Sequence, residues 1–286
     1  MKYTDTTVSE AFMEEIARDE SKISLARAGL IFAQRRYPDV DCSWYTAQLD
    51  LVAAEIQRKI SGENSSASKL GTTVDYLFGE LGYQGNAEDY YDPRNSFINE
   101  VIERRIGIPI SLSVVFLEIA TRIGLIANGV AFPGHFLVRV DQAQADNASA
   151  IIVDPFDGGT SLGFEMFVAR FRKRMEEPVD ERRIAKLLEP APKKDILIRQ
   201  FRNLLAIYSN KRLAEDCLYV VNHILHLDPN LLNELIHRGK LLSEMGHNDA
   251  AAQDFERALL NCEDKSLQAT LENALREARL ERKPLH

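Results

Sequence analysis

The stretch from Asn95 to Gly124, NSFINEVIERRIGIPISLSVVFLEIATRIG, constrains the fold of this chain more than any other. It carries two helical signals back to back. Asn95 or Ser96 supplies a helix-capping residue, and Ile98, Val101, Ile102 and Ile106 then share one face. After Gly107, Pro109 suits the first turn of a second helix, where a missing N–H does no harm. In that helix Leu112, Val115, Phe116, Ile119, Ala120 and Ile123 form a continuous stripe, widened by Ile110 and Val114. A helix apolar on most sides is buried on most sides. Gly124 is its stop. Glu118, Arg122 and Asn128 interrupt the apolar run from Ile106 to Phe132, and a membrane span needs ~20 nearly uncharged residues.

Strand signals follow. Gly129 to Phe132 is a short apolar run, His135 to Val140 alternates, and Ala150 to Val153 is apolar and β-branched. With the polar stretch 141–149 as the turn, the last two pair as an antiparallel hairpin in which Val140 faces Ser149. The same register sets His135 opposite Asp154. A carboxylate beside an imidazole fixes its tautomer and raises its basicity, so these two are the candidate chemical pair. Pro133 to His135 form a tight turn that aims the histidine. Asp92-Pro93 and Asp154-Pro155 start turns, and residues 157–163 read as a loop.

Residues 1–90 read as helices, with one stripe at Trp44, Ala47, Leu51, Val52 and Ile56 and another at Leu70, Val74, Leu77, Phe78 and Leu81. Phe164 to Met175 also reads as helical. Pro178, Pro190 and Pro192 flank a charged segment, a linker or surface helix. From Ile198 the chain repeats with period 34: Ile198 matches Leu232, Tyr208 matches Leu242, Cys217 matches Ala251, Val221 matches Phe255 and Ile224 matches Ala258. With Gly239 and Gly246, these residues resemble the tetratricopeptide helix–turn–helix repeat. The helix from Ser266 to Arg282 caps the pair, and such repeats present a surface for a protein partner.

The length of 286 residues suggests about two domains. A net charge of −8 and a pI near 5.4 disfavour nucleic-acid binding, which rests on neutralising phosphates. Cys42, Cys217 and Cys262 form neither a disulfide framework nor a zinc spacing. The first twenty residues carry Glu and Asp where a secretion signal would be apolar. A cytoplasmic protein away from membranes is expected. No nucleotide, flavin or metal motif occurs, so no cofactor and no metal are expected. His223 and His226, three apart on one helix, are too few for a metal site and read as solvent-facing.

The order of buried helix, histidine strand and aspartate strand resembles the transglutaminase-like core of the papain-type superfamily. There the nucleophilic cysteine lies in a G-x-C segment that opens the helix. The resemblance implies that Gly107 is that glycine, that His135 and Asp154 are the family's histidine and aspartate, and that Pro109 stands in the cysteine column. Proline has no side-chain nucleophile and no N–H for an oxyanion hole. The segments NSFINEVIERRIGIPISLSVVFLEIATRIGL, FPGHFLVRV and VDPFDGG resemble more closely a bacterial family of transglutaminase-like proteins with C-terminal tetratricopeptide repeats. Some of its members are named as regulators of invasion genes. It implies a shared fold and a shared G-I-P-I-S-L-S segment in place of the cysteine motif.

The expected fold is α+β and mostly helical: a helical region 1–90, a transglutaminase-like core 91–176 with a small antiparallel sheet, a linker 177–192, and tetratricopeptide-like repeats 193–286. The expected function is that of a catalytically degenerate, protein- or peptide-binding regulatory module. The alternative is a peptide or amide hydrolase or acyl transferase that uses Ser111 or Ser113 with His135 as base and Asp154 as its orienter. Against it, both serines suit hydrogen bonding to backbone at a helix start. Asn95, Asn99, Arg104 and Arg105 are candidates to line the cleft. Capping accounts for Asn95 without any ligand, and ion pairs with Glu100 or Glu103 do the same for the arginines. Cys42 reads as a partly buried hydrophobe.

Overall fold

The computed structural model describes residues 9–60, 65–141, 150–172 and 180–280. In chain order its first elements are α1 (Glu10–Ile16), α2 (Leu25–Ala33), α3 (Cys42–Lys59), α4 (Ser66–Val74), β1 (Gln84–Gly85), α5 (Ile98–Arg104), β2 (Ile106–Gly107) and α6 (Pro109–Arg122). Then come β3 (Ala127–Val130), β4 (Leu137–Val140), β5 (Ile151–Asp154), β6 (Thr160–Gly163), α7 (Phe164–Arg172) and α8 (Glu181–Leu187). Five helices complete it: α9 (Lys193–Asn210), α10 (Ala214–Leu227), α11 (Leu232–Glu244), α12 (Asn248–Leu260) and α13 (Lys265–Leu280). The chain divides into two compact units, Ala17–Ile196 and, for the other, Met1–Ile16 with Leu197–His286.

In the first unit α6 is central, as its all-round apolarity requires. Every residue from Pro109 to Ala120 is buried. Pro109 opens it, and at its end Gly124 takes a φ of +65°. There Leu125 N donates to Ala120 O at 2.8 Å and Gly124 N to Thr121 O at 3.3 Å, the paired bonds that close a helix on a left-handed glycine. The buried Glu118 ties α6 to α2. Its Oε1 accepts from Ala26 N at 3.1 Å and from Ser24 Oγ at 2.9 Å, so a carboxylate sits at the N-terminus of α2. Arg122 donates to its Oε2 at 2.6 Å and to Asp50 Oδ1 at 2.7 Å.

The α+β expectation holds, with one antiparallel sheet in the order β3-β4-β5-β6 and a two-residue parallel pair β1-β2. Three details differ. β4 pairs with β5 as Val138↔Val153, Arg139↔Ile152 and Val140↔Ile151, two residues away from the expected register, in which Val140 faced Ser149. The stretch expected to be the turn lies outside the described residues at 142–149. β6 falls in the stretch read as a loop. The sequence TSLG after two glycines has no run of alternating apolar residues to mark a strand, and pairing with β5 supplies the order. Finally, Asn95 and Ser96 do not cap α5. Phe97 is the N-cap, and Asn95 ends a 3-10 turn over Pro93–Asn95 that Asp92 caps.

In the second unit the period of 34 becomes successive helix pairs. Cys217, Val221, Ile224, Ala251, Phe255 and Ala258 are all buried. A Cβ on Gly239 would lie 2.6 Å from the Phe255 ring, so the repeat glycine is what lets α11 and α12 approach. Arg238 bridges three helices, with two 2.7 Å bonds to Asp254 and one of 3.0 Å to Asn222 Oδ1. His223 departs from the solvent-facing expectation. It is 1% exposed, with its ring 4.8 Å from that of Phe12 and 4.3 Å from that of Tyr219. Its Nδ1 lies 2.9 Å from Tyr219 O, which satisfies one ring nitrogen inside the core.

Candidate functional site

His135 stands just before β4, after a turn in which Gly134 takes a φ of +70° and His135 N donates to Phe132 O at 3.0 Å. Asp154 is the last residue of β5. The structure brings the two together: His135 Nε2 lies 2.7 Å from Asp154 Oδ2, with the side chains 28% and 25% exposed. The contact survives the register difference because a shift of two residues keeps every side chain on its own face.

Both carboxylate oxygens of Asp154 are employed. Oδ1 accepts from Phe156 N at 3.0 Å and Asp157 N at 3.2 Å, so the group that orients the imidazole also holds the following turn. Gly158 and Gly159 close that turn at φ +60° and +76°. A Cβ on Gly159 would lie 2.4 Å from the ring of Phe78, which itself stacks on Phe116 of α6 at 6.4 Å. The aspartate is thereby anchored to the central helix.

Phe156 links the pair to the start of α6. Its ring is edge-on to His135 at 6.2 Å. It also abuts β1, where a Cβ on Gly85 would lie 2.5 Å away from it. Gly85 pairs with Gly107, two residues before Pro109. On its other side Phe156 meets Tyr90 at 6.1 Å, and Tyr90 meets Tyr91, 70% exposed, at 5.4 Å. Three rings thus run from solvent to the imidazole. The sequence shows an aromatic-bearing loop from Gly82 to Tyr91 but assigns no role to Tyr90, Tyr91 or Phe156. The only signal was their position, inside VDPFDGG and just ahead of the NSF segment.

The remaining candidates are placed as follows. Pro109 is the buried first residue of α6. Ser111 Oγ donates to Asn95 O at 2.5 Å and accepts from Ile108 N at 3.1 Å, and Ser113 Oγ donates to Pro109 O at 2.7 Å. Both serines are fully buried and committed to backbone. Asn95 is buried too. Its Nδ2 donates to Asp89 O at 2.7 Å, and its Oδ1 accepts from Asn86 Nδ2 at 3.1 Å. Ser111 and Asn95 together therefore fasten the segment that carries Tyr90 and Tyr91. Asn99 is buried in α5. Arg104 lies 3.8 Å from Asp92 and 4.0 Å from Glu100. Asp92 is partly desolvated, which raises its pKa, but Arg94 and Arg104 more than offset this and leave it below the usual carboxylate value. Arg105 takes a left-handed φ of 59° and donates from Nη1 to Leu81 O at 2.8 Å. Cys42 opens α3, and burial pushes its thiol pKa up, away from a reactive thiolate. Among the described residues no cluster of three His, Cys, Asp or Glu is arranged to hold a metal ion.

A family model described as transglutaminase-like superfamily matches residues 43–202, and one described as tetratricopeptide repeat matches residues 204–276. A UPF0162 protein of Xylella fastidiosa (strain Temecula1) is 37% identical over 242 residues, which cover 84% of this chain and 85% of that protein. A UPF0162 protein of Pseudomonas aeruginosa is 28% identical over 257 residues, 89% of this chain and 90% of that protein. The F-box only protein 21 of Homo sapiens is 33% identical over 135 residues, 46% of this chain and 20% of that protein. No solved structure matches the chain.

Proposed function

The chain belongs to the transglutaminase-like superfamily and, within it, to the bacterial UPF0162 proteins, and from that premise we propose that it binds peptide or protein segments without covalent catalysis. The observation that carries this reading is the start of α6. Pro109 opens the helix, at the column where the family resemblance puts the nucleophile, and offers neither a side-chain nucleophile nor an N–H, while the hydroxyls of Ser111 and Ser113 are held by backbone carbonyls. What remains around His135 is recognition chemistry: a partly exposed imidazole with its tautomer set by Asp154, edge-on to Phe156, from which Tyr90 and Tyr91 lead out to solvent. Aromatic faces of this kind contribute contact area at low entropic cost. The tetratricopeptide repeats supply a second protein-binding surface, in keeping with a regulatory module. Among the described residues no helix is long and apolar enough to cross a membrane. We place the work of this protein in the cytoplasm, where its three cysteines stay as thiols.

The test uses the full chain. A random-peptide display library is selected against it, and the best peptide is measured by fluorescence anisotropy. His135→Ala and Tyr90→Ala/Tyr91→Ala should each weaken binding at least tenfold. Glutaminyl peptides and simple esters are assayed in parallel. Turnover that disappears in His135→Ala and in Ser111→Ala or Ser113→Ala would overturn the reading in favour of a hydrolase or acyl transferase.

A further inference from the structure

Helix α3 turns one face to the core and leaves an apolar stripe on the other. Tyr45, Leu49, Ala53 and Ile56 are buried. Trp44, Ala47, Leu51 and Ala54, on the opposite side, are all exposed. The apolar positions from Trp44 to Ile56, which read as one stripe in the sequence, are thus divided between two faces. Trp44 is the chain's only tryptophan and is 50% exposed, and Leu51 is 64% exposed. Large apolar side chains grouped on one surface mark an interaction site.

The stripe alternates steps of three and four residues, the heptad spacing with which one helix presents a straight seam to another. It is also complementary to itself. When two copies of α3 lie antiparallel and cross level with Leu49, Trp44 meets the partner's Ala54 and Leu51 meets the partner's Ala47. The two-fold axis supplies the reverse pairs, so every large side chain of the stripe falls opposite a small one. A parallel pair in register would set tryptophan against tryptophan and alanine against alanine. The ends of the stripe match in charge as well. Arg58 lies on the same face in the last turn, and the exposed Asp39 and Asp41 precede the first. Antiparallel pairing brings Arg58 to the partner's Asp39 and Asp41, and it opposes the two helix dipoles. Arg58 spends Nε and Nη2 on Glu55, which leaves Nη1 for that contact. The carboxylates that flank the stripe, Asp50 and Glu55, are held by Arg122 and Arg58 of their own chain, so neither brings an unpaired charge to the seam.

We infer that this face of α3 is the interface of a homodimer, with α3 of a second copy of the chain laid antiparallel across it. The stripe spans about 15 Å of helix axis. A helix pair of that length buries less than the roughly 800 Å² per partner of a standard interface. The dimer is therefore weak and forms with rising concentration. Tryptophan is enriched among the residues that dominate binding energy, which makes Trp44 the anchor.

Sedimentation velocity and intrinsic fluorescence of the full chain, from about 1 to about 500 µM, test this over the range in which a weak interface associates. A monomer is expected at low concentration and a dimer at high, with the emission of Trp44 moving to shorter wavelength over the same range. Trp44→Ala should weaken association at least tenfold with an unchanged melting temperature, since the side chain is half-exposed in the single chain. Ala47→Glu and Leu51→Lys should each weaken it too, through like charges on the two sides of the axis. An equimolar mixture of these two variants should recover association, because the antiparallel register sets the new carboxylate against the new ammonium. A monomer at every concentration overturns the proposal, and so does a dimer whose affinity Trp44→Ala leaves unchanged. No recovery in the mixture overturns the antiparallel pairing.

Discussion

At the scale of single residues, function and stability are separable around His135. Asp154 serves both through different oxygens. His135→Ala leaves the turn bonds to Phe156 N and Asp157 N in place, whereas Asp154→Ala removes them. Asp154→Ala should therefore cost about 1–2 kcal/mol more in urea unfolding than His135→Ala, the worth of a lost cap. Ser111 and Ser113 differ in a similar way. Ser111 satisfies a buried N–H and a buried carbonyl at once, so Ser111→Ala should destabilise by about 1–3 kcal/mol. Ser113 bonds only the carbonyl of Pro109, which lies within its own helix, and Ser113→Ala should cost less than about 1 kcal/mol. Equal losses in the two variants would contradict these roles. The residue types at this site, His, Asp and the proline of the helix start, were readable from the chain. Their aromatic neighbours were not, because Tyr90 and Phe156 are 66 residues apart and meet only in the fold.

Among elements, α6 decides most. Its apolar pattern and its two ends were legible, because Pro109 and Gly124 act on the backbone within a single turn. Gly124→Ala forces an L side chain into left-handed backbone and should lower stability by about 1 kcal/mol, measurable by urea unfolding. Glu118 was legible only as an interruption of apolar sequence. In the structure it is the N-terminal partner of α2, with Arg122 on its other oxygen. Glu118→Ala leaves the Arg122 guanidinium and the Ala26 N–H without that partner, and should destabilise by about 3 kcal/mol. The isosteric Glu118→Gln, which retains an acceptor, should cost less. The β4–β5 register escaped sequence reading for a related reason. Alternation sets which face a residue takes, and two registers that differ by two residues satisfy it equally.

For the whole molecule, the repeat unit carries a buried ionic link and a pH response. Asp254→Ala leaves Arg238 buried without its carboxylate and should cost about 3–5 kcal/mol, seen as a large fall in melting temperature. His237 on α11 is half-buried, and desolvation lowers its pKa below the ordinary 6.5. The unfolded chain then binds more protons than the folded one just below that pH. The stability tied to neutral His237 is fully present above about pH 6.5 and is lost progressively as pH falls. His237→Gln should flatten this slope in a melting-temperature series from pH 7.5 to 5.0, conditions chosen around that ordinary value. An unchanged slope would place the titration elsewhere.

Patterns that act over a few residues were determined by the sequence alone: the buried helix, the strand that follows His135 and the strand that ends in Asp154, the period of 34 and the unpaired cysteines. Helical and strand periodicity, caps and turn residues work through the local backbone, so they can be read in order along the chain. The tertiary structure alone decided the register, the strand β6, the burial of His223 and the partner of Glu118 at a separation of 92 residues. Each depends on which surfaces are covered and on which distant polar groups meet there. Burial makes an unmet polar group costly, so the fold, and not the local sequence, selects those partners.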